Sequence, residues 1–172
     1  MRPLPLLVLA AVVAAGDAPT PAGPGSSRPV TAAPAAAWQV EWGGDHRTWI
    51  VVAPGLGRTQ AAWVSTSEIV EGQEAYRVAY PALAWRDADG VVHIAARGAR
   101  VVGPQAFDPS GHRRWYPDSF AIHPDGRVQA QDEQPEAPIH DGRAVRTIDA
   151  AADPAAWRSR RDEVAAMAGN QG

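Results

Sequence analysis

The chain is predicted to be all-β, a small antiparallel β-sandwich or β-roll with one C-terminal α-helix. Three observations predict this class. Between Trp38 and Ile148, apolar and polar residues alternate over short runs. The runs are separated by turn signals: Gly43-Gly44-Asp45, Asp87-Ala88-Asp89-Gly90 and Pro124-Asp125-Gly126. Only beyond Asp153 does the apolar spacing lengthen to that of a helix. Period two between turn clusters indicates strands, whereas spacings of three and four indicate a helix.

Residues 1–16, MRPLPLLVLAAVVAAG, have the three parts of a secretory signal peptide. Arg2 is the positive start, Leu4 to Ala15 the apolar run, and Ala14-Ala15-Gly16 the small-residue exit. A bilayer takes about 20 apolar residues to span, so no stable transmembrane span is expected after cleavage. The same run, uncleaved, would be a short anchor. Residues 17–36 hold five prolines among Ala, Gly, Ser and Thr. Such a stretch buries too little apolar surface to offset its ordering entropy, and a disordered spacer is expected there.

The β domain is expected over residues 37–150. Trp38, Val40 and Trp42 alternate with Gln39 and Glu41, and Thr48 to Ala53 is apolar on both faces. Together they read as a hairpin around Gly43-Gly44-Asp45. The loop Pro54 to Thr59 lacks the Lys and the longer glycine pattern of a phosphate cradle. Ala61 to Gly72 is rich in β-branched and aromatic residues and reads as a strand.

In Glu74 to Pro81 the bulky residues Tyr76, Val78 and Tyr80 share one face. After Pro81 the bulk passes to Leu83 and Trp85, a phase change that predicts a bulge or an edge position. Val92, Ile94 and Ala96 return along one face, with a further strand expected over Ala99 to Val102. Phe120 and Ile122, then Val128 and Ala130, form a second hairpin about Pro124-Asp125-Gly126. Asp132 to Gly142 reads as a loop, and Ala144 to Ile148 as a last short strand. A helix is expected over residues 153–169, with Asp153 as N-cap, Pro154 in the first turn, and Trp157 and Val164 docking it on the sheet.

Composition narrows the chemistry. Net charge is −3, which does not fit a general nucleic-acid binder. There is no Lys for a Schiff base and no Cys for a thiolate, disulfide or lipid anchor. His46, His93, His112, His123 and His140 show no metal-binding spacing, so no metal and no cofactor is expected. His93 and His123 read as exposed strand positions. No Ser stands in a nucleophile elbow, and Asp118, Ser119 and His123 lie along one strand rather than converging. Asp87, Asp89, Asp118, Asp125 and Asp132 are numerous enough to keep a carboxylate-dependent hydrolase as an alternative. Turn chemistry accounts for Asp87 and Asp89 without it.

The loop between the central hairpins, HRRWYP, places Arg113, Arg114, Trp115 and Tyr116 together. Cationic and aromatic groups on one loop suit a sugar, a phosphate or an anionic surface, and these four are the expected ligand-binding residues.

Residues 90–148 hold GVVHIAARGARVVG, DSFAIHPDGRVQAQDE and GRAVRTI. This stretch resembles the OstA-like β-jellyroll proteins of lipopolysaccharide transport. The resemblance implies an open, twisted roll with an apolar interior for acyl chains, and it carries over no catalytic or binding residue.

The chain is therefore expected to be an exported bacterial protein, periplasmic or extracellular, that binds rather than catalyses. The expected partner is an envelope glycan, a lipid or other amphiphile, or a surface protein, and not nucleic acid. A periplasmic lipid-transport roll is the alternative.

Overall fold

The computed structural model describes residues 30–43, 45–96, 117–132 and 138–169, with only the backbone at 75 and 76. Eight strands follow one another: β1 (Ala36–Trp42), β2 (His46–Val52), β3 (Gln60–Val70), β4 (Gln73–Arg86), β5 (Val92–Ala96), β6 (Ser119–Ile122), β7 (Arg127–Gln131) and β8 (His140–Asp149). Each is antiparallel to the next, and β8 pairs back with β1 to close a barrel. One helix, α1 (Pro154–Gly169), follows. The all-β class with a C-terminal helix is the one the chain adopts, and closure removes the sheet edges.

Two ends define the barrel. The lower end carries the start of β1, the turns Asp87–Val91 and His123–Gly126, and the junction into α1. The upper end carries the end of β1 and the start of β8. Residues before β1 belong to the fold at the lower end. Thr31 and Arg86 exchange backbone hydrogen bonds at 2.8 and 3.0 Å, and the Ala33 amide donates to Gln60 Oε1 at 2.9 Å. Ala33 and Ala36 are buried. The limit drawn at residue 36 from composition thus falls inside the packed region, because alanine fills the narrow mouth where bulk cannot.

Eight strands leave an interior just wide enough for side chains to fill or for one small ligand. Here it is filled. Trp38, Val40 and Trp42 meet Ile50, Val64, Tyr80, Ile94 and Phe120 in one continuous core. Trp42 and Phe120 lie 6.0 Å apart, ring centre to ring centre.

Large side chains in a narrow barrel require small ones opposite, and β4 shows it. Val78, Tyr80, Ala82 and Ala84 are all buried, so the alternation runs through Pro81 unbroken. The expected phase change there does not occur: Leu83 and Trp85 point outward, and bulk misassigned the inner face. Pro81 is exposed and pairs with Trp63, and the ladder to β5 begins only at Ala82. The irregularity of β4 lies earlier, opposite the register shift between Glu68 and Ile69.

β8 is also longer than expected, taking in His140 to Gly142 as well as the predicted Ala144 to Ile148. Its pairing with β1 shifts between Gln39 and Val40, leaving Val145 without a partner. Before that bulge, Gly142 and Ala144 face inward; after it, Thr147 faces inward and Ile148 outward. A single extra residue breaks the alternation that sequence patterning relies on. Gly142 is needed where it stands. A Cβ there would lie 2.7 and 2.8 Å from Cζ3 and Cδ2 of Trp42, whose ring rests on the β8 backbone.

α1 begins as predicted. Asp153 Oδ1 accepts from the Ala156 amide at 3.0 Å, the bond an N-cap makes to the third helical residue. Trp157 and Val164 are buried against Ala37, Val51 and Ile148, with Trp49 and Trp63 packed alongside. Arg160 lies 4.0 Å over the Trp49 ring, and Arg77 of β4 reaches Glu163 at 3.1 Å. The helix therefore covers the outer face of β1–β4, and among the described residues nothing covers β5–β7 and much of β8.

Candidate functional site

The bare outer face is organised by register. One row across it reads Trp85, His93, Ala121, Gln129, Asp141, each opposite the next on neighbouring strands. The adjacent row reads Leu83, Ala95, Ser119, Gln131. Ala121 is small and stands between His93 and Gln129, so the sheet surface dips there. The result is a groove of about 200 Å³, walled by Trp85 and His93 on one side and Gln129 and Gln131 on the other. Ser119, Ala121 and Ile139 also line it, with Ile94, Phe120 and Ala130 of the strands beneath.

The first wall is held by ring stacking and hydrogen bonds. The Trp85 and His93 rings stack at 5.5 Å with 13° between their planes. His93 Nε2 lies 2.8 Å from Asp87 Oδ2, while Asp87 Oδ1 accepts from the amides of Asp89 at 3.0 Å and Val91 at 2.9 Å. The hydrogen bond from His93, helped by those amides, holds the Asp87 carboxyl below its ordinary value against the opposing effect of desolvation. An ionised Asp87 accepts a proton-bearing Nε2, which leaves Nδ1 of a neutral ring as an acceptor. The local sequence explains the wall: Asp87 closes the turn, and the turn sets Trp85 opposite His93.

The second wall is a chain of hydrogen bonds. Arg127 Nη2 donates to His123 Nδ1 at 3.3 Å, His123 Nε2 meets Gln129 Oε1 at 3.3 Å, and Gln129 Nε2 donates to Asp141 Oδ1 at 3.2 Å. With Nε2 as donor and Nδ1 as acceptor on His123, every member of the chain is satisfied.

Polar groups also gather inside the upper end. Trp42 Nε1 donates to Thr48 Oγ1 at 2.8 Å, and Thr48 and Thr66 share a hydrogen bond at 3.1 Å. Tyr80 donates to the Pro117 carbonyl. Burial lowers the pKa of His46, against the pull of Glu68 and Asp45 and with the help of His140. These bonds satisfy buried groups and order the core. Among the described residues, no three His, Asp or Glu side chains are grouped to hold a metal ion.

Arg113, Arg114, Trp115 and Tyr116 lie outside the described residues, as does the strand expected over Ala99 to Val102. Asp87, Asp89 and Asp125 fall at lower-end turns, and Asp118 and Asp132 flank strands at the upper end. His93 and His123 face outward as expected, but they are partnered, and each supports one wall of the groove. The groove itself was missed. Its signal was present: a four-residue turn at Asp87–Gly90 fixes Trp85 opposite His93, provided Trp85 is not assigned to the core. No protein-family model matches the chain, and neither a curated protein nor a solved structure matches it, so the site stands on its own geometry.

Proposed function

We propose that the chain is an exported, non-catalytic binding protein of the bacterial envelope or exterior that takes a glycan in the groove over β5–β7. The observation that carries this reading is the stacked Trp85–His93 wall facing two glutamine side chains across an alanine floor. A pyranose ring offers an apolar C–H face to an aromatic wall, and its hydroxyls suit amides, a serine and an imidazole acceptor. A groove of about 200 Å³ matches a ring of that size better than a long chain. Two features favour binding over hydrolysis. None of the described residues lining the groove is a carboxylate, whereas glycoside hydrolysis uses a flanking pair. Asp87 is engaged by His93 and two turn amides.

A cavity of about 320 Å³ at the lower mouth of the barrel, among Trp38, Val92, Ile122 and Ala144, is the competing place for an amphiphile. The export assignment draws on the N-terminal sequence; among the described residues, no helix is long and apolar enough to cross a membrane. The test is titration of the full chain against neutral and acidic oligosaccharides, followed by tryptophan fluorescence, beside lipid extraction of the purified protein. Trp85→Ala is expected to weaken oligosaccharide binding about tenfold or more. Unchanged affinity in that variant sinks the groove as the site, and stoichiometric co-purified lipid supports the lipid-transport alternative.

A further inference from the structure

We propose that the glycan taken by the groove is acidic, and that Arg127, Arg143 and Arg146 bind its charged groups. This rests on the groove reading above and names the chemistry of its ligand. On the outer face of β7 and β8, just below the groove, Arg127 stands directly opposite Arg143, and Arg146 follows beyond the Val145 bulge. All three are exposed. Among the described residues, no carboxylate forms an ion pair with any of them. Glu41, beside Arg143 in register, is turned to Arg47 at 3.5 Å. Asp125 feels the charges of Arg127, His123 and Arg143, but its Oδ1 is engaged by the Arg127 amide at 3.0 Å.

Like charges directly opposite on antiparallel strands repel, so this pair works against the sheet that carries it. An anion between the two guanidinium groups reverses the sign, and the planar fork of Arg fits a carboxylate or phosphate through paired hydrogen bonds. The strip is local, because the protein as a whole carries −3. It is also continuous with the groove. Arg127 lies two residues, about 7 Å, from Gln129 on the same face. The hydrogen-bond chain from Arg127 through His123 to Gln129 ties the strip to the groove wall. One oligosaccharide can therefore stack on Trp85 while an acid group on a neighbouring sugar reaches the arginines.

The test compares an oligogalacturonate with its methyl ester on the full chain. The acid form is expected to bind roughly tenfold tighter at low salt. That advantage should shrink as the screening length falls from about 10 Å at 0.1 M to about 3 Å at 1 M salt. The double variant Arg143→Gln/Arg146→Gln, which leaves the chain from Arg127 through His123 to Gln129 in place, should bring the acid most of the way down to the level of the ester, with ester binding unchanged and thermal stability equal or higher. Trp85→Ala should weaken both forms. Equal binding of acid and ester by the unaltered chain overturns the acidic ligand and leaves the groove reading standing. Loss of acid binding in the arginine variant with none in Trp85→Ala overturns the groove reading, and this proposal with it. Binding to phosphatidylglycerol vesicles at matching strength, independent of Trp85, overturns it in favour of a lipid surface.

Discussion

The two sides of this barrel share one interior and differ in what lies outside it. Over β1–β4 the outward positions carry Trp49, Val51 and Trp63, which α1 covers with Trp157 and Val164. Over β5–β7 and the first half of β8 the outward positions carry His93, Gln129, Gln131, Arg127 and Arg143, and among the described residues no helix lies over them. The first side spends its aromatic surface on holding the helix. On the second, Trp85 is half-buried beside His93 at the edge of a groove. Tryptophan enrichment alone therefore says little about binding. What separates the two uses is whether another element of the chain covers the ring.

The largest expected effect strips the covered side. Trp157→Ala removes the side chain that anchors α1, and such a truncation costs about 3–5 kcal/mol. Chemical denaturation should show the loss, while oligosaccharide binding by the residual folded protein stays intact because none of the residues lining the groove, on β5–β7 and the Trp85 end of β4, belongs to the cluster that packs α1. A parallel loss of binding would mean that the two sides are coupled through the barrel wall.

A smaller change strikes what the sides share. Gly142→Ala drives a methyl group into the Trp42 ring, and overpacking of this kind costs about 1–3 kcal/mol. Because Gly142 follows Asp141 on β8 and Trp42 touches Phe120 of β6, the displacement should reach the groove as well as the core. Stability and binding should then fall together, unlike in Trp157→Ala. Thermal unfolding and titration of the same samples check it.

The difference between the sides also explains what could be read in the sequence. The hairpins, the N-cap at Asp153 and the docking pair Trp157 and Val164 follow from periodicity and turn chemistry, and all are where those rules place them. β4 misled because bulk was equated with the inner face, whereas a filled eight-stranded barrel takes alanine at Ala82 and Ala84 and turns Leu83 and Trp85 outward. β8 was shortened at its start because Asp132 to Gly142, acidic and proline-bearing, has the composition of a loop. The groove depends on registers across four strands; short turns set those of β4 on β5 and β6 on β7, whereas that of β5 on β6 joins residues far apart in the sequence. Nothing within β7 or β8 alone reveals that Arg127 and Arg143 stand opposite each other.

The smallest effects are titrations, and they separate the shared interior from the bare face. Burial holds His46 below its ordinary 6.5, so the folded protein keeps it neutral while the unfolded chain takes up a proton. Its contribution is complete above pH 6.5 and is lost as pH falls from there through the folded value. Asp87 has its pKa depressed from an ordinary 3.8, chiefly by the His93 hydrogen bond, so its contribution is present above 3.8 and lost as pH falls below it. Denaturation midpoints between pH 8 and pH 3 should therefore decline in two stages. His46→Gln should flatten the upper stage alone and Asp87→Asn the lower one alone. The Asp87 side chain is 26% exposed, so solvent screens its stage. Its larger consequence should appear in the groove at neutral pH. An amide in place of the carboxylate no longer fixes the His93 ring by a charge-assisted bond, and oligosaccharide affinity should drop while the midpoint at pH 7 barely moves. A midpoint that falls as far as the affinity would make Asp87 a prop of the turn rather than of the binding wall.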